Sequence, residues 1–170
     1  MATEKNLSDA FYESLKDVYW AEKQSVKACK KSAKAAQAPV LKKAFEDHGA
    51  ESEGHVQRLE QVFEIIGKTP RAKTCEAMHG IVTEMEEDLE EFGGTAASDA
   101  VLIGCGQAVE HYEIGRYGML KTWAMQLGMN DAANVLDATL QEERKADALL
   151  SQIAEASVNA KADTGKSQKA

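Results

Sequence analysis

Residues 39–66 have the apolar periodicity of a long amphipathic helix, but their stripe changes character in the middle. Leucine, valine and phenylalanine recur on one helix face before and after that point, at a spacing of three to four residues. Between them, the stripe should continue near positions 48, 51 or 52, and 55, where the chain has His48, Glu51 and His55. A buried carboxylate costs several kcal/mol unless it is paired or coordinates a metal. The fold must therefore provide partners for these side chains.

The whole sequence predicts an all-α protein. It has only two prolines and is rich in alanine, leucine, glutamate and lysine, which favour helices. Asn6 or Ser8 is expected to cap the first helix, and Gly67 to end the second. The predicted helices span about residues 6–38, 39–66, 71–92, 98–127 and 130–156. We expect residues 1–156 to form one helical domain and residues 157–170 to be a disordered polar tail.

Ligand-type side chains interrupt the apolar stripes of the other long helices as well. The interruptions are Glu22 in the first helix, Glu51 and His55 in the second, Glu113 in the fourth, and Glu143 and Asp147 in the fifth. The chain divides into two halves with the same pattern: Glu51 follows Glu22 after 29 residues, and Glu143 follows Glu113 after 30 residues. In each half, the last two interruptions are four positions apart, about one turn along one helix face. The pattern predicts a duplicated arrangement that brings four carboxylates to a shared interior.

This arrangement predicts a site for two metal ions inside a helical bundle. Several carboxylates with one or two imidazoles suit iron or manganese, and without a cation such close like charges could not all remain ionised. The candidate ligands are Glu22, His48, Glu51, His55, Glu110, Glu113, Glu143 and Asp147. His48 and His55 could equally be core histidines that contact a neighbour, and Glu110 could face water. For the acids, the alternative is a buried polar network that binds no metal.

Charge and cysteine content narrow the classes of function. The net charge of −8 argues against a protein that binds nucleic-acid phosphates. No apolar run approaches the roughly 18 residues of a membrane span, and the N-terminal residues lack an apolar signal region. Cys29, Cys75 and Cys105 are odd in number and widely spaced, as expected for buried thiols in a reducing compartment. We therefore expect a cytoplasmic protein that binds neither nucleic acid nor a membrane.

Four segments that contain or adjoin the interrupting acids follow the pattern of a known family. They are residues 17–24, 58–63, 109–118 and 140–147, and the third, VEHYEIGRYG, is the most specific. With them, the chain resembles the bacterial YciE/YciF-type ferritin-like family over about residues 6–160. The resemblance implies a ferritin-like four-helix up-down bundle, with a further helix in the long crossover between the second and third bundle helices. It also implies a homodimer and an association with bacterial stress responses.

The chain differs from the general ferritin-like pattern at one point. That pattern has Glu-x-x-His on the second and fourth helices of the bundle. Here the ligand-type residues stand four positions after Glu51 and Glu143, as His55 and Asp147. The ligand set implied by the resemblance is therefore altered in both halves of the chain.

Two classes of function follow from these observations. The first is a di-metal carboxylate protein, most simply di-iron, that acts on dioxygen, hydrogen peroxide or iron itself. The second is a non-catalytic structural or interaction bundle of the stress response, with a vestigial or unoccupied metal site. Iron storage in a large cage is a weaker third interpretation, because the acids are dispersed and the chain has no assembly motif. The sequence leaves open whether the protein is an enzyme.

Overall fold

A computed structural model of the chain describes residues 4–164, which form the predicted all-α fold and contain no strand. The helices are α1 (Leu7–Ala35), α2 (Pro39–Ile65), α3 (Glu76–Phe92), α4 (Ser98–Gln126), α5 (Asn130–Ile153) and α6 (Asn159–Asp163). The bounds of α2 and α4 agree with the predicted ones to within one residue, whereas α1 and α5 each end three residues earlier than expected and α3 begins five residues later. α3 begins late because the segment before it is not helical, and the backbone N–H of Lys73 in that segment donates to the carbonyl of Lys16 in α1.

Local signals set the helix ends. Asn6 caps α1: its side chain accepts a hydrogen bond from the backbone N–H of Asp9 (3.1 Å), and Asp9 accepts one from the N–H of Asn6 (3.0 Å). Gly67 and Gly128 follow α2 and α4 with φ angles of 67° and 74°. Glycine adopts this left-handed conformation without the strain that a side chain would bring. These ends fix the lengths of the helices that carry the site.

Two apolar clusters show how the four long helices run. The first cluster takes residues near the N-terminal ends of α1 and α5, such as Leu15, and near the C-terminal ends of α2 and α4, such as Phe63. The second cluster has the opposite pattern, with Phe45 from the start of α2 and Leu150 from the end of α5. α1 and α2 are therefore antiparallel, as are α4 and α5, whereas α2 and α4 run in the same direction. The segment that contains α3 must return along the length of the other helices.

The packing leaves a polar layer at mid-length. α1 packs against α2 and α4, and α5 packs against the same two helices, while α3 lies outside against α4 and α1. The apolar clusters occupy the two ends of this four-helix interior. The residues between them on each long helix are the ones that interrupt the apolar stripes. No helix within residues 4–164 has the length and apolar character needed to cross a membrane.

Helical structure continues beyond the predicted domain boundary at residue 156. A π-helical segment, Ala154–Val158, follows α5 and leads into α6. The predicted start of the disordered tail is therefore too early, because Val158 is buried in the second apolar cluster. For residues 165–170 the tail stays a prediction, since they lie outside the described residues.

Candidate metal centre

Six of the eight predicted ligands lie together in the polar layer. They are Glu22 from α1, His48 and His55 from α2, Glu110 and Glu113 from α4, and Glu143 from α5. Each is at most 6% exposed. They meet because each lies near the middle of its helix, in or one turn along from a break in the apolar stripe, and the four helices pack side by side. Their role as ligands stays a prediction, but their convergence is a property of the fold.

Glu143 stands between two groups of possible ligand atoms. One group contains His48, Glu110, Glu113 and Glu143, and the other contains Glu22, His55 and Glu143. Within each group the ligand atoms lie within 4.8 Å of one another. Glu143 Oε2 is 3.6 Å from His48 Nε2, and Glu143 Oε1 is 2.9 Å from His55 Nδ1. Its two oxygens thus face different groups, as those of a carboxylate that bridges two ions would.

Most polar atoms of the layer lack a hydrogen-bond partner within the protein. Nine side-chain nitrogen and oxygen atoms of the six residues are buried without a hydrogen bond of good geometry. Some of them, such as His55 Nδ1 and Glu143 Oε1, lie close to each other at 2.9 Å, whereas both carboxylate oxygens of Glu113 have neither a hydrogen bond nor an ion pair among the described residues. The buried hydroxyls of Ser25 and Ser52, on the same stretches of α1 and α2, are also unpartnered. Native proteins pair the large majority of buried polar atoms, so this concentration calls for an ion or ordered water. A set of carboxylates and imidazoles fits a cation.

Each histidine has a second carboxylate behind it, on the side away from the layer. His48 Nδ1 lies 3.5 Å from Glu51 Oε2. His55 Nε2 lies 2.8 Å from Glu142 Oε2, and Arg58 donates to both oxygens of Glu142. A carboxylate in this position fixes the orientation and tautomer of a histidine and makes it a stronger metal ligand. His55 is therefore held with one ring nitrogen toward the layer, whereas Glu51 lies near His48 without a hydrogen bond to it.

Glu51 and Asp147 do not reach the interior of the layer, so the positions predicted for them are wrong. The Glu51 side chain is 52% exposed, and the interior position between the two histidines belongs to Ser52. Residues 48, 51 and 55 follow the spacing of one helix face as well as residues 48, 52 and 55 do, so the packing of α2 against its neighbours decides which of the two positions lies inside. Asp147 accepts a hydrogen bond from Gln107 of α4 at 2.9 Å instead. The two pairs spaced by four positions, Glu51 with His55 and Glu143 with Asp147, therefore do not both enter the layer, and their repetition does not explain why the ligand-type groups converge.

Glu142, Arg58 and Tyr117 belong to the site, although the apolar stripes did not identify them in this role. Glu142 lies next to Glu143 in the sequence, and its carboxylate contacts His55. The Tyr117 hydroxyl is buried and donates to Glu22 Oε1 at 2.5 Å. Helical spacing was the available signal, since Arg58 follows a histidine by three positions and Tyr117 follows an interior acid by four.

Burial alters the ionisation of the acids. It raises the pKa of both Glu22 and Glu143. Burial also raises the pKa of Glu113 well above its usual value, and the nearby charges of Glu22 and Glu143 raise it further. In the absence of a cation, the layer therefore favours protonated carboxyl groups.

The pKa of each interior histidine is raised, although burial alone would lower it. Burial by itself lowers the pKa of His48, but the adjoining Glu110 carboxylate outweighs it and raises the pKa to about 9. Burial likewise lowers the pKa of His55, and the carboxylates of Glu143 and Glu22 raise it to about 11. Two imidazolium groups would thus offset part of the acid charge of a metal-free layer.

The metal-free protein should lose stability as the pH rises from 6 to 9. The stabilisation from the two histidines is complete below their unfolded pKa of about 6.5 and is lost as the pH passes through the raised pKa of about 9 for His48. The acids act in the same direction, because a folded-state pKa above the unfolded value makes ionisation at higher pH destabilising. We expect a loss of at least about 1.4 kcal/mol, the equivalent of one pKa unit.

Urea unfolding of chelator-treated protein at pH 6, 7, 8 and 9 would measure this loss. Saturating metal should reduce the slope, because bound cations keep the same groups deprotonated at every pH. A free energy of unfolding that rises over this interval in the chelated protein would contradict the charge state described above.

Fold and site together define an all-helical protein with a buried cluster of histidines and glutamates that could hold metal. The chain belongs to the family described as a domain of unknown function (DUF892), whose model matches residues 6–163. It is 42% identical over 161 residues to protein YciF of Escherichia coli K12, across 94% of this chain and 96% of that protein. The resemblance inferred from the sequence motifs is thereby confirmed.

Two solved structures share the fold over nearly their whole length. The crystal structure of YciF, described as an E. coli stress protein, has a TM-score of 0.87 and 39% identity, and covers 92% of this chain and 99% of that one. YcfI from Rhodopseudomonas palustris, described as a candidate structural protein, has a TM-score of 0.85 and 34% identity, with 89% and 97% covered. Both descriptions refer to those proteins.

Proposed function

We propose that this chain is a di-metal carboxylate protein of a bacterial stress response, which binds two ions of iron or manganese in a ferritin-like bundle. The observation that carries the proposal is Glu143, whose two oxygens face separate groups of buried, mostly unpartnered ligand atoms. His48, Glu110 and Glu113 would hold one ion with Glu143. Glu22 and His55 would hold the other with it. Oxygen and nitrogen donors of this kind suit hard and borderline cations.

The residues of the chain have separate tasks in such a centre. The two histidines and four interior glutamates would bind the ions, and Glu142 would orient His55 from behind. The apolar clusters on either side keep bulk water from the layer, which strengthens the electrostatic interactions within it. Bound iron would supply redox chemistry with dioxygen or hydrogen peroxide. The homodimer and the cytoplasmic location implied by the sequence stay predictions.

A non-catalytic structural bundle of the stress response is the second candidate. The raised pKa values of His48 and His55 favour it, because two imidazolium groups would offset two of the acid charges without any cation. In that case the polar layer would fix the register of the helices, as buried polar groups do in some proteins. Added metal would then leave the stability unchanged.

Anaerobic loading with ferrous or manganous ions tests the two candidates against each other. The proposal expects two bound equivalents after desalting. It also expects a melting temperature higher by roughly 5–10 °C at a hundredfold excess over the dissociation constant, from a stabilisation of about 2.7 kcal/mol. Magnesium serves as the control cation, since it prefers all-oxygen octahedral sites. If the protein bound no metal and its melting temperature did not change, the proposal would be overturned and the structural bundle favoured.

A further inference from the structure

The polar layer can be reached from outside through one cavity between α2 and α5. The cavity has a volume of about 190 Å³, and its inner end is formed by His48 and Glu110. Both side chains are more than nine-tenths buried, and Glu110 Oε2 has no hydrogen-bond partner. Glu51 and Lys145 line the same cavity and are exposed to solvent. The cavity therefore connects the surface with one of the two groups of ligand atoms.

Apart from the charged side chain of Asp47, the walls between these two ends are apolar. Phe45, Leu149 and Leu150 form part of the lining, together with alanines of α2 and α5. Leu149 is 43% exposed, so the entrance has an apolar side chain at the surface. A passage of this size suits an uncharged ligand of a few atoms, and a larger ligand would not fit it. A strongly hydrated ion would have to give up its water shell to enter the apolar part of the passage.

Within residues 4–164, this cavity does not reach the other group of ligand atoms. Neither Glu22 nor His55 lines the cavity, and both side chains are fully buried. Behind His55, the Arg58–Glu142 ion pair occupies the side toward the solvent. The Tyr117 hydroxyl is bonded to the Glu22 carboxylate. The two groups therefore differ in access, although Glu143 is common to both.

We propose that the two ions have separate roles: small uncharged ligands, of the size of dioxygen, reach the ion of the His48 group through this cavity, while the ion of the Glu22–His55 group is inaccessible to them. This inference rests on the proposed metal binding. It assigns Phe45, Leu149 and Ala146 to the access route and not to the binding of metal. Narrowing the route should therefore slow ligand entry and leave the metal content unchanged.

Nitric oxide binding to the di-ferrous protein tests the inference, since nitric oxide is an uncharged diatomic and forms a coloured ferrous complex. We expect one nitric oxide per pair of irons. Ala146→Phe should slow its binding by about tenfold or more in stopped-flow absorption, equivalent to about 1.4 kcal/mol. The matched control is Ala148→Phe, on the exposed face of the same helix, which should bind nitric oxide at the wild-type rate. Leu149→Trp at the entrance provides a second variant, should Ala146→Phe fail to fold.

The outcomes separate this inference from the proposed function. If none of the proteins binds iron, the proposed function fails. If all retain two irons but the cavity variants bind nitric oxide as fast as the control, the access route is refuted. Equal reaction of both irons with nitric oxide would likewise overturn the assignment of one accessible ion. A selective loss of rate in Ala146→Phe or Leu149→Trp, with full iron content, would support it.

Discussion

Glu143→Gln should abolish the binding of both metal ions at once. Glu143 is the one residue that contributes an oxygen to each group of possible ligand atoms, and glutamine at this position keeps the volume but removes the charge. The loss of affinity should exceed the roughly 10–100-fold that the loss of an outer hydrogen-bonding partner costs at a metal site. Titration with manganese or anaerobic ferrous iron, followed by metal analysis, would measure it.

Glu22→Gln is the matched comparison for this variant. Glu22 belongs only to the group that contains His55, so its replacement should lower the affinity for one ion and leave the other ion bound. Glu90→Gln, on the exposed surface of α3, should bind as the wild type does. If Glu143→Gln retained both ions at wild-type affinity, a bridging role for Glu143 would be excluded.

Glu113→Met should make the metal-free protein more stable and reduce its stabilisation by metal. Both oxygens of Glu113 are buried without a partner, and burial raises its pKa well above the usual value. Replacing a complete buried ion pair by apolar side chains of similar volume is often neutral or stabilising, by about 1–4 kcal/mol, and a buried carboxyl group without a partner has no hydrogen bond to lose in such a replacement. The variant should therefore unfold at higher urea concentration than the wild type in the presence of chelator.

The same variant should respond differently once metal is added. Wild-type protein is expected to gain stability, whereas Glu113→Met lacks one ligand and should gain much less. Glu90→Met, at an exposed position, should change the unfolding free energy by no more than about 0.5 kcal/mol in either condition. A metal-free Glu113→Met protein less stable than the wild type would show that Glu113 makes a favourable contact without a cation.

The position of Glu51 shows where the sequence pattern loses resolution. Adjacent residues are separated by about 100° around a helix. Where polar residues replace the apolar ones of a stripe, the pattern does not distinguish which of two adjacent positions faces the interior. The sequence accordingly left 51 or 52 open, and the structure has Ser52 inside. The rotation of α2 follows from its packing on α1, where a Cβ at Gly49 would lie only 3.2 Å from the Cβ of Cys29.

The partners of the histidines show a second limit. Arg58 and Glu142 are 84 residues apart, and nothing in the local pattern of either helix indicates that they form an ion pair. Five of the six interior ligand-type residues could be predicted because each breaks an apolar stripe within its own helix, and the sixth, Glu110, because it lies one turn before Glu113. A contact between helices leaves no such local signature, because it depends on how α2 and α5 are placed against each other.

The sequence by itself determined the all-α fold, most of the helix ends and a set of eight candidate ligand residues that contains the six of the polar layer, because capping, glycine stops and helical periodicity act within a few residues of the chain. The tertiary structure alone decided the division of those residues into two groups, the position of Glu143 between them and the exposure of Glu51. These features depend on the rotation and spacing of four packed helices. Their packing is set by side-chain contacts between residues far apart in the chain.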